Sequence, residues 1–244
     1  MAEIAPVRAI SLNNDVATST VATANIFDQT NQYSNVVSVN GCTGTLMNSR
    51  TILTAAHCFY DYDNFAPSKP IDIRFGPDAN VATRFDQSAA GLATDPRYTF
   101  NGTVGDIALV TLSTPVMGRS IAPVTLAGAS DARPTFGSLM VTVGYGQYGT
   151  GLDGGIYSEQ EEKGGAPSNQ RRRVGETRLG AYELWTFSAR DPGALSILAA
   201  QFRNPHSPGA PDAYGLAAKG FDVPARQAGN GAGDSGGPLF LVRP

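Results

Sequence analysis

The sequence has little of several features that would indicate particular functions. It contains only two cysteines, two histidines and one tryptophan in 244 residues, and its formal net charge is -3. No apolar run approaches the roughly 20 residues that a membrane-spanning helix requires. A chain without a strong positive charge gives no indication of nucleic-acid or anionic-membrane binding, so we expect no nucleic-acid partner.

The N-terminus also lacks a recognisable targeting signal. Residues 1–6 show neither the basic nor the apolar region of a signal peptide. This leaves two alternatives, an exported protein whose signal has been removed or a cytosolic protein. Residues 1–30 are rich in Ala, Thr and Asn without a strong hydrophobic period, so we predict an N-terminal arm that lies against the body of the protein.

Glycine and proline are abundant, with 28 and 16 residues, and 41% of the chain is hydrophobic whereas 16% is charged. This composition is typical of a globular protein with many turns and few long helices. We predict at most a short helical turn, at residues 194–202. Short apolar segments alternate with turns, which predicts an all-β sandwich or barrel. The predicted strands are residues 36–39, 42–47, 51–54, 71–75, 107–112 and 139–143.

A glycine-rich stretch near the C-terminus, residues 231–238, surrounds a single serine, Ser235. Glycine allows the backbone to approach a reacting group closely. The N–H groups of Gly233 and Ser235 could then stabilise the oxyanion of a tetrahedral intermediate, which makes Ser235 a candidate nucleophile. The alternative is an ordinary glycine-rich turn, so the nucleophile hypothesis requires a base and an orienting group elsewhere in the chain.

His57 is the candidate base because it follows a predicted strand, whereas the other histidine, His206, lies in a Pro- and Gly-containing segment typical of an exposed loop. Asp106 directly precedes an apolar strand, where an acidic residue is unfavourable unless another group uses its charge. Taken separately, the histidine could be structural, and the aspartate could cap the strand or form a turn.

The two cysteines, Cys42 and Cys58, lie 16 positions apart. They have no companion cysteines and only His57 nearby, so we predict no metal, because a structural zinc site uses about four ligands at recognisable spacing. Antiparallel strands that flank a turn could bring the two sulfur atoms within bonding distance. A disulfide would indicate an oxidising compartment. The alternative is two buried free thiols.

The candidate residues lie in motifs whose order is informative. Along the chain His57 comes first, Asp106 second and Ser235 last, which is the order of chymotrypsin-type enzymes and differs from that of subtilisins and α/β-hydrolases. The chain resembles the trypsin/chymotrypsin-like serine proteases over about residues 30–244. The motifs that carry the resemblance are Thr54-Ala55-Ala56-His57-Cys58, Asp106-Ile107-Ala108-Leu109, Gly144-Tyr145-Gly146 and Gly233-Asp234-Ser235-Gly236-Gly237-Pro238.

The resemblance implies an all-β fold of two antiparallel β-barrels of the chymotrypsin type. The N-terminal arm would cover residues 1–30, the first barrel residues 31–130 and the second residues 131–244. The chain ends nine residues after Ser235, whereas the family continues with two more strands and a helix. We therefore expect an incomplete second barrel with an unpaired strand edge, and a further C-terminal domain of the same polypeptide is a possible partner.

The same resemblance implies roles for the candidate residues. Ser235 would attack the peptide carbonyl and form an acyl-enzyme, His57 would transfer the proton, and Asp106 would orient the histidine. Gly233 and Ser235 would supply the oxyanion hole. The expected substrates are proteins or peptides, and no cofactor is expected. Sparse cysteines and long loops are typical of exported bacterial members, so we expect a secreted, periplasmic or cell-surface location.

The chain departs from the family at the specificity pocket and in loop length. Gly229 lies six positions before Ser235, where trypsins carry the aspartate that selects Arg and Lys. We expect Gly229 and Asn230 to line the pocket and expect no selectivity for Arg or Lys. Residues 147–173 and 190–230 are longer than expected. The arginines at 171–173 are interpreted as part of a solvated loop, with an autolysis site or a partner contact as the alternative.

These observations favour a serine endopeptidase. One alternative is a non-catalytic binding or interaction domain, or an inactive fragment, that retains the protease motifs. A second alternative is a hydrolase of small esters, which the same nucleophile could serve. Activity on casein-type substrates compared with small esters distinguishes the endopeptidase from the esterase.

Overall fold

Nearly all regular structure in the described residues is β-strand. The computed structural model describes residues 10–12, 28, 30–59, 71–78, 85–98, 104–116, 121–128, 130–146, 148–150, 171–185, 195–200, 212–224, 226–231 and 233–242. No helix in these ranges is long and apolar enough to cross a membrane. The elements are β1 (Ile10–Leu12), β2 (Val36–Val39), β3 (Cys42–Leu46), β4 (Thr51–Thr54), a 3₁₀ helix (Ala56–Phe59), β5 (Ile73–Phe75), β6 (Phe85–Gln87), β7 (Ala89–Thr94), β8 (Ala108–Leu112), β9 (Leu139–Gly144), β10 (Tyr148–Thr150), β11 (Arg173–Trp185), β12 (Leu195–Ala200), a second 3₁₀ helix (Ala217–Lys219), β13 (Ala228–Gly229) and β14 (Leu239–Leu241).

The first sheet contains seven antiparallel strands in the order β6-β5-β2-β3-β4-β8-β7. Alternate residues of a strand face the same side of a sheet, so one side can be apolar and buried. In β8, Ala108, Val110 and Leu112 are fully buried, whereas the intervening Leu109 is 42% exposed. The same core also contains Val37, Val39, Leu46, Ile52, Ala56, Phe59, Ile73 and Phe75.

The second sheet contains four antiparallel strands in the order β12-β11-β9-β14. Strand β11 pairs with β9 through residues 173–178 and with β12 through residues 179–185. Strand β14 forms one edge of this sheet and pairs with β9. A small third sheet, β10-β1-β13, places β1 between residues 148–150 and 228–229.

The predicted helical turn at residues 194–202 is wrong, because residues 195–200 form strand β12. Residues 198–200 alternate between exposed, buried and exposed, which is the period of a strand and not of a helix. Hydrogen bonding to β11 outweighs the weak local preference for a helix, as tertiary contacts commonly do.

The two larger sheets meet along β2, whose four residues are all buried. Val37 and Val39 belong to the core of the first sheet. Val36 lies in a different core, with residues of the second sheet. A strand that is buried on both faces shows no alternation of polar and apolar residues, and here it joins the two cores. The partners of Val36 are Val141, Val143, Tyr145 and Val174.

Arg172 is fully buried and Arg173 is 3% exposed, so the prediction of a solvated loop is wrong at these two residues, whereas the Arg171 side chain is 39% exposed. Arg172 Nη1 donates to the Val36 carbonyl at 2.9 Å and to the Tyr145 hydroxyl at 3.1 Å. Its Nε donates to Oδ2 of the buried Asp28 at 2.9 Å. Adjacent arginines usually indicate a solvated surface, but here a carboxylate from a distant segment compensates the charge of Arg172 inside the protein.

Tyr145 extends this polar network into the first sheet. Its hydroxyl donates to the Gly76 carbonyl, lies 3.2 Å from the Val36 carbonyl and accepts a hydrogen bond from Arg172. Burial raises the pKa of Tyr145 to about 12, although the charge of Arg172 opposes this shift. The hydroxyl therefore stays protonated at neutral pH and remains a hydrogen-bond donor.

Replacing Arg172 with Ala should strongly destabilise the protein, because Asp28 would stay buried without its cation. Removing one partner of a buried ion pair typically costs about 3–5 kcal/mol. We expect urea denaturation of Arg172→Ala to show a loss of that size in the free energy of unfolding. Arg97→Ala is the control, since the Arg97 side chain is 71% exposed, and it should change stability little. Wild-type stability of Arg172→Ala would contradict the role of this network.

Candidate active site

His57 lies on the 3₁₀ helix that directly follows β4. Ala56 and Phe59 of this helix are buried in the core of the first sheet, while the His57 side chain is 44% exposed. A disulfide between Cys42 and Cys58 joins the start of β3 to the same helix, with Cα atoms 6.2 Å apart. The predicted disulfide is confirmed, and it restrains the backbone next to His57.

The ligand atoms of Cys42, His57 and Cys58 all lie within 4.8 Å of one another. A group of two thiolates and an imidazole is typical of zinc sites. In this protein the two sulfur atoms are bonded to each other, so neither is available as a thiolate ligand. We therefore assign no metal ion to this cluster.

Asp106 contacts His57 through both carboxylate oxygens. Strands β4 and β8 pair with Thr54 opposite Ala108, so the residues just after β4 and just before β8 lie side by side. Asp106 Oδ1 accepts from the His57 backbone N–H at 2.9 Å, and Oδ2 lies 2.7 Å from the ring Nδ1. The tautomer that satisfies this contact carries its proton on Nδ1, which leaves Nε2 as an acceptor.

The pKa of the Asp106 carboxyl lies below its ordinary value. Burial alone would raise this pKa, but hydrogen bonds from the ring and the backbone N–H of His57, together with the charge of the ring, outweigh burial. A backbone hydrogen bond from Ala56 acts in the same direction. Asp106 is therefore ionised at neutral pH and presents a negative charge to His57.

The candidate nucleophile Ser235 lies in a tight turn, which we call the nucleophile turn and which the structure describes at residues 231 and 233–238. The Asp234 N–H donates to the Gly231 carbonyl at 2.9 Å, and the Gly237 N–H donates to the Asp234 carbonyl at 2.9 Å. The buried Asp234 carboxylate accepts from the N–H groups of Gly231 at 3.0 Å and Gly146 at 2.9 Å. Asp234 thus ties the nucleophile turn to the segment that follows β9.

Two glycines of the nucleophile turn have backbone conformations that favour glycine. The φ angle is 93° at Gly233 and 77° at Gly236, in the left-handed region. A Cβ atom on Gly236 would lie 2.4 Å from Thr54 Oγ1 and 2.5 Å from the Ala55 nitrogen. The nucleophile turn therefore packs directly against the end of β4 and against Ala55, which lies two residues before His57.

Hydrogen bonds also attach the nucleophile turn to the first sheet. The Thr43 N–H donates to the Ser235 carbonyl at 3.0 Å, and Thr43 Oγ1 donates to the Gly233 carbonyl at 2.8 Å. In the part of the chain that the structure describes, no hydrogen bond joins the Ser235 hydroxyl to His57. Such catalytic hydrogen bonds are often long in unliganded enzymes and shorten when substrate binds.

The N–H groups of Gly233 and Ser235 donate to no other group of the described residues. Both residues are partly buried, whereas the neighbouring N–H groups of Asp234 and Gly237 are used within the turn. Both N–H groups are therefore available as hydrogen-bond donors beside the serine hydroxyl.

The residues predicted for the specificity pocket lie directly before the nucleophile turn. Gly229 belongs to β13 and pairs with Ser11 of β1. Asn230 accepts a hydrogen bond from the Thr142 hydroxyl at 2.6 Å. Their contact with a substrate side chain stays a prediction. His206 and residues 151–170 of the predicted long loop lie outside the described ranges.

Sequence reasoning assigned no role to three residues that contact one another beside the site, Thr43, Thr54 and Tyr145, although the last two lie in motifs that carry the family resemblance. Thr54 Oγ1 donates to the Thr43 carbonyl at 2.8 Å, and the Tyr145 N–H donates to Thr43 Oγ1 at 2.9 Å. Threonine is common in strands because its β-branched side chain suits them. A threonine in a predicted strand therefore gives no signal of its own, and only the proximity of Thr43 to Cys42 could have drawn attention to it.

Comparison with known proteins agrees with this arrangement. A model of the family described as Trypsin matches residues 21–177, which is more than half of the chain. The chain belongs to the trypsin family. The matched range includes His57 and Asp106 and ends before Ser235. No match was found among curated proteins.

Among solved structures, this trypsin-family chain is similar to neuropsin, a serine protease expressed in the limbic system of mouse brain. The TM-score is 0.54 at 19% sequence identity, and the match covers 88% of this chain and 81% of the neuropsin chain. The likeness confirms the predicted fold, the antiparallel two-barrel fold of the chymotrypsin type. As a trypsin-family member, the protein is a chymotrypsin-like serine protease, and its substrates are proteins or peptides.

The lowered pKa of Asp106 predicts how stability responds to acid. A carboxyl whose pKa is lower in the folded protein contributes its full stabilisation above its unfolded pKa of about 3.9, and loses it as the pH falls through the folded value. We expect Asp106→Asn to flatten the pH dependence of the free energy of unfolding below about pH 4. His57→Ala, which keeps the carboxyl but removes the ring, should flatten it partly. Urea denaturation between acidic and neutral pH measures this dependence, and unchanged slopes in both variants would contradict the assignment.

Proposed function

We propose that this trypsin-family protein is a serine endopeptidase that cleaves peptide bonds through Ser235, His57 and Asp106. The observation that carries the proposal is the 2.7 Å contact between His57 Nδ1 and Asp106 Oδ2. This contact lies close to the end of β4, against which the nucleophile turn packs. A carboxylate on Nδ1 leaves Nε2 able to accept a proton, which is what a base for a serine hydroxyl requires.

The proposed reaction proceeds in two halves. Ser235 Oγ attacks the carbonyl carbon of the peptide while its proton passes to His57 Nε2, and Asp106 stabilises the imidazolium that forms. The same proton then passes to the leaving amine as the C–N bond breaks, which leaves an acyl group on Ser235. A water molecule, deprotonated by His57, hydrolyses this ester and restores the free serine.

We assign the N–H groups of Gly233 and Ser235 as donors to the oxyanion that develops on the substrate carbonyl. Their lack of other acceptors among the described residues supports this assignment. Loss of one such donor in a protease typically costs about 2.7–4 kcal/mol of transition-state stabilisation. Backbone donors cannot be removed by changing a side chain. Their contribution is therefore tested by mutating the residues that hold the nucleophile turn in place.

We also propose the division of the chain into a first barrel of residues 31–130 and a second barrel of residues 131–244. The seven-stranded sheet lies within the first range and the four-stranded sheet within the second, which supports this division. The Cys42–Cys58 disulfide supports an oxidising compartment. We therefore propose that the protein acts outside the cytosol, as a secreted, periplasmic or cell-surface enzyme.

Removing either reacting side chain should abolish most of the catalysis. We expect Ser235→Ala and His57→Ala each to lower kcat by about 10⁴–10⁶-fold, because nucleophile and base act as one unit. Steady-state kinetics on a peptide substrate measures the loss, and circular dichroism of each variant confirms that the fold is intact. Retention of most activity in either variant would refute the assignment of these two residues.

A serine-directed fluorophosphonate tests the same assignment without knowledge of the natural substrate. Mass spectrometry of the treated 244-residue chain should show one adduct, on Ser235, and no adduct in His57→Ala. Absence of an adduct on the wild-type chain would favour the alternative of a non-catalytic binding domain or an inactive form. Hydrolysis of small esters without hydrolysis of casein would favour an esterase.

The uncharged residues Gly229 and Asn230 predict the side-chain preference. An Arg or Lys side chain needs a negative charge in the pocket that receives it, and neither position supplies one. Peptide-library profiling should therefore show no selectivity for cleavage after Arg or Lys, and Gly229→Asp should increase cleavage after those residues. Wild-type cleavage only after Arg or Lys would overturn this prediction.

A further inference from the structure

We propose that Thr43, on strand β3 of the first sheet, is a positioning residue that fixes the orientation of the Ser235 N–H for oxyanion binding. This inference rests on the proposed function and adds to it a residue outside the nucleophile turn. Thr43 is completely buried, and two of its hydrogen bonds reach the nucleophile turn. It acts on the reaction through the backbone that it holds.

Thr43 binds two carbonyls that flank the peptide carrying the Ser235 N–H. Its hydroxyl donates to the Gly233 carbonyl at 2.8 Å, and its backbone N–H donates to the Ser235 carbonyl at 3.0 Å. The peptide between Asp234 and Ser235 lies between these two contacts, and its own carbonyl accepts from the Gly237 N–H at 2.9 Å. The direction of the Ser235 N–H therefore depends on contacts on both sides of it.

The Thr43 hydroxyl acts as both donor and acceptor in this arrangement. It has one hydrogen to donate, which goes to Gly233, and it accepts from the Tyr145 N–H at 2.9 Å. The Thr43 carbonyl accepts from Thr54 Oγ1 at 2.8 Å, which holds Thr43 against the end of β4. One residue thus connects the nucleophile turn, the segment after β9 and the strand that leads to His57.

Thr43→Val keeps the shape of the side chain but removes the hydroxyl. The Gly233 carbonyl and the Tyr145 N–H then lose their partner, and an unpaired buried polar group is unfavourable. We expect the nucleophile turn to shift until these groups are paired again. Because a displacement of about 1 Å at a catalytic group can cost about 100-fold in rate, we expect kcat to fall about 10- to 100-fold, with KM changed by less than about threefold.

Thr45 provides the matched control. It lies two residues further along β3 on the same face, is only 4% exposed, and its side chain makes no hydrogen bond to the nucleophile turn within the described ranges. Thr45→Val should leave kcat within about twofold of wild type. Thr43→Ser keeps the hydroxyl and should restore most of the activity that Thr43→Val loses.

A pair of ester substrates separates positioning from general destabilisation. An oxygen ester develops negative charge on oxygen, which the N–H donors bind, whereas the matching thionoester develops it on sulfur, a weak acceptor. Thr43→Val should therefore lose more activity on the oxygen ester than on the thionoester, whereas Thr45→Val should lose little on either. Equal losses on both esters, or wild-type kcat on the oxygen ester, would overturn the inference.

Amide hydrogen exchange tests the contact between Thr43 and the nucleophile turn without relying on activity. The N–H groups of Asp234 and Gly237 are bonded inside the nucleophile turn, and we expect both to exchange about tenfold faster in Thr43→Val but not in Thr45→Val. A wild-type chain that neither cleaves peptides nor reacts with fluorophosphonate refutes the proposed function, and exchange then still decides whether Thr43 holds the turn. Unchanged exchange in Thr43→Val would overturn the inference.

Discussion

The charge of Arg172 must be compensated inside the protein, and this requirement joins three parts of the chain. The guanidinium binds the carboxylate of Asp28, the carbonyl of Val36 and the hydroxyl of Tyr145. Burying an arginine without such partners is highly unfavourable. The segment before β2, the first sheet and the second sheet are therefore held in one arrangement. Stacking of Tyr33 on Phe240 adds a second contact between the segment before β2 and the second sheet.

Tyr145 extends this arrangement to the candidate active site. Its hydroxyl belongs to the Arg172 network, while its backbone N–H donates to Thr43 Oγ1. The N–H of the next residue, Gly146, donates to the carboxylate of Asp234 in the nucleophile turn. Tyr145 and Gly146 thus connect the buried charge of Arg172 to Thr43 and Asp234, the two residues that hold the nucleophile turn. The site depends on contacts between the sheets, because neither sheet alone contains both the base and the nucleophile.

Much of the framework could be predicted from sequence, because it depends on local pattern. Strands at residues 36–39 and 51–54 have their predicted bounds, since apolar residues and flanking turns mark their ends. The pairing of His57 with Asp106 follows from the register of β4 and β8 once each residue is placed at the end of its strand. The disulfide between Cys42 and Cys58 was predictable because Cys42 begins β3 and Cys58 closely follows β4, the antiparallel neighbour of β3.

The sequence by itself therefore determined the fold class and the family and indicated the candidate residues for the chemistry, because short motifs and strand periodicity carry that information. Only the tertiary structure decided which polar groups are buried and what they bind. Asp28 and Arg172 are 144 positions apart, and Thr43 and Gly233 are 190 positions apart, so no local pattern indicates either contact. The arginine that resembled a solvated loop and the threonine that resembled an ordinary strand residue acquire their roles from partners that only folding brings to them.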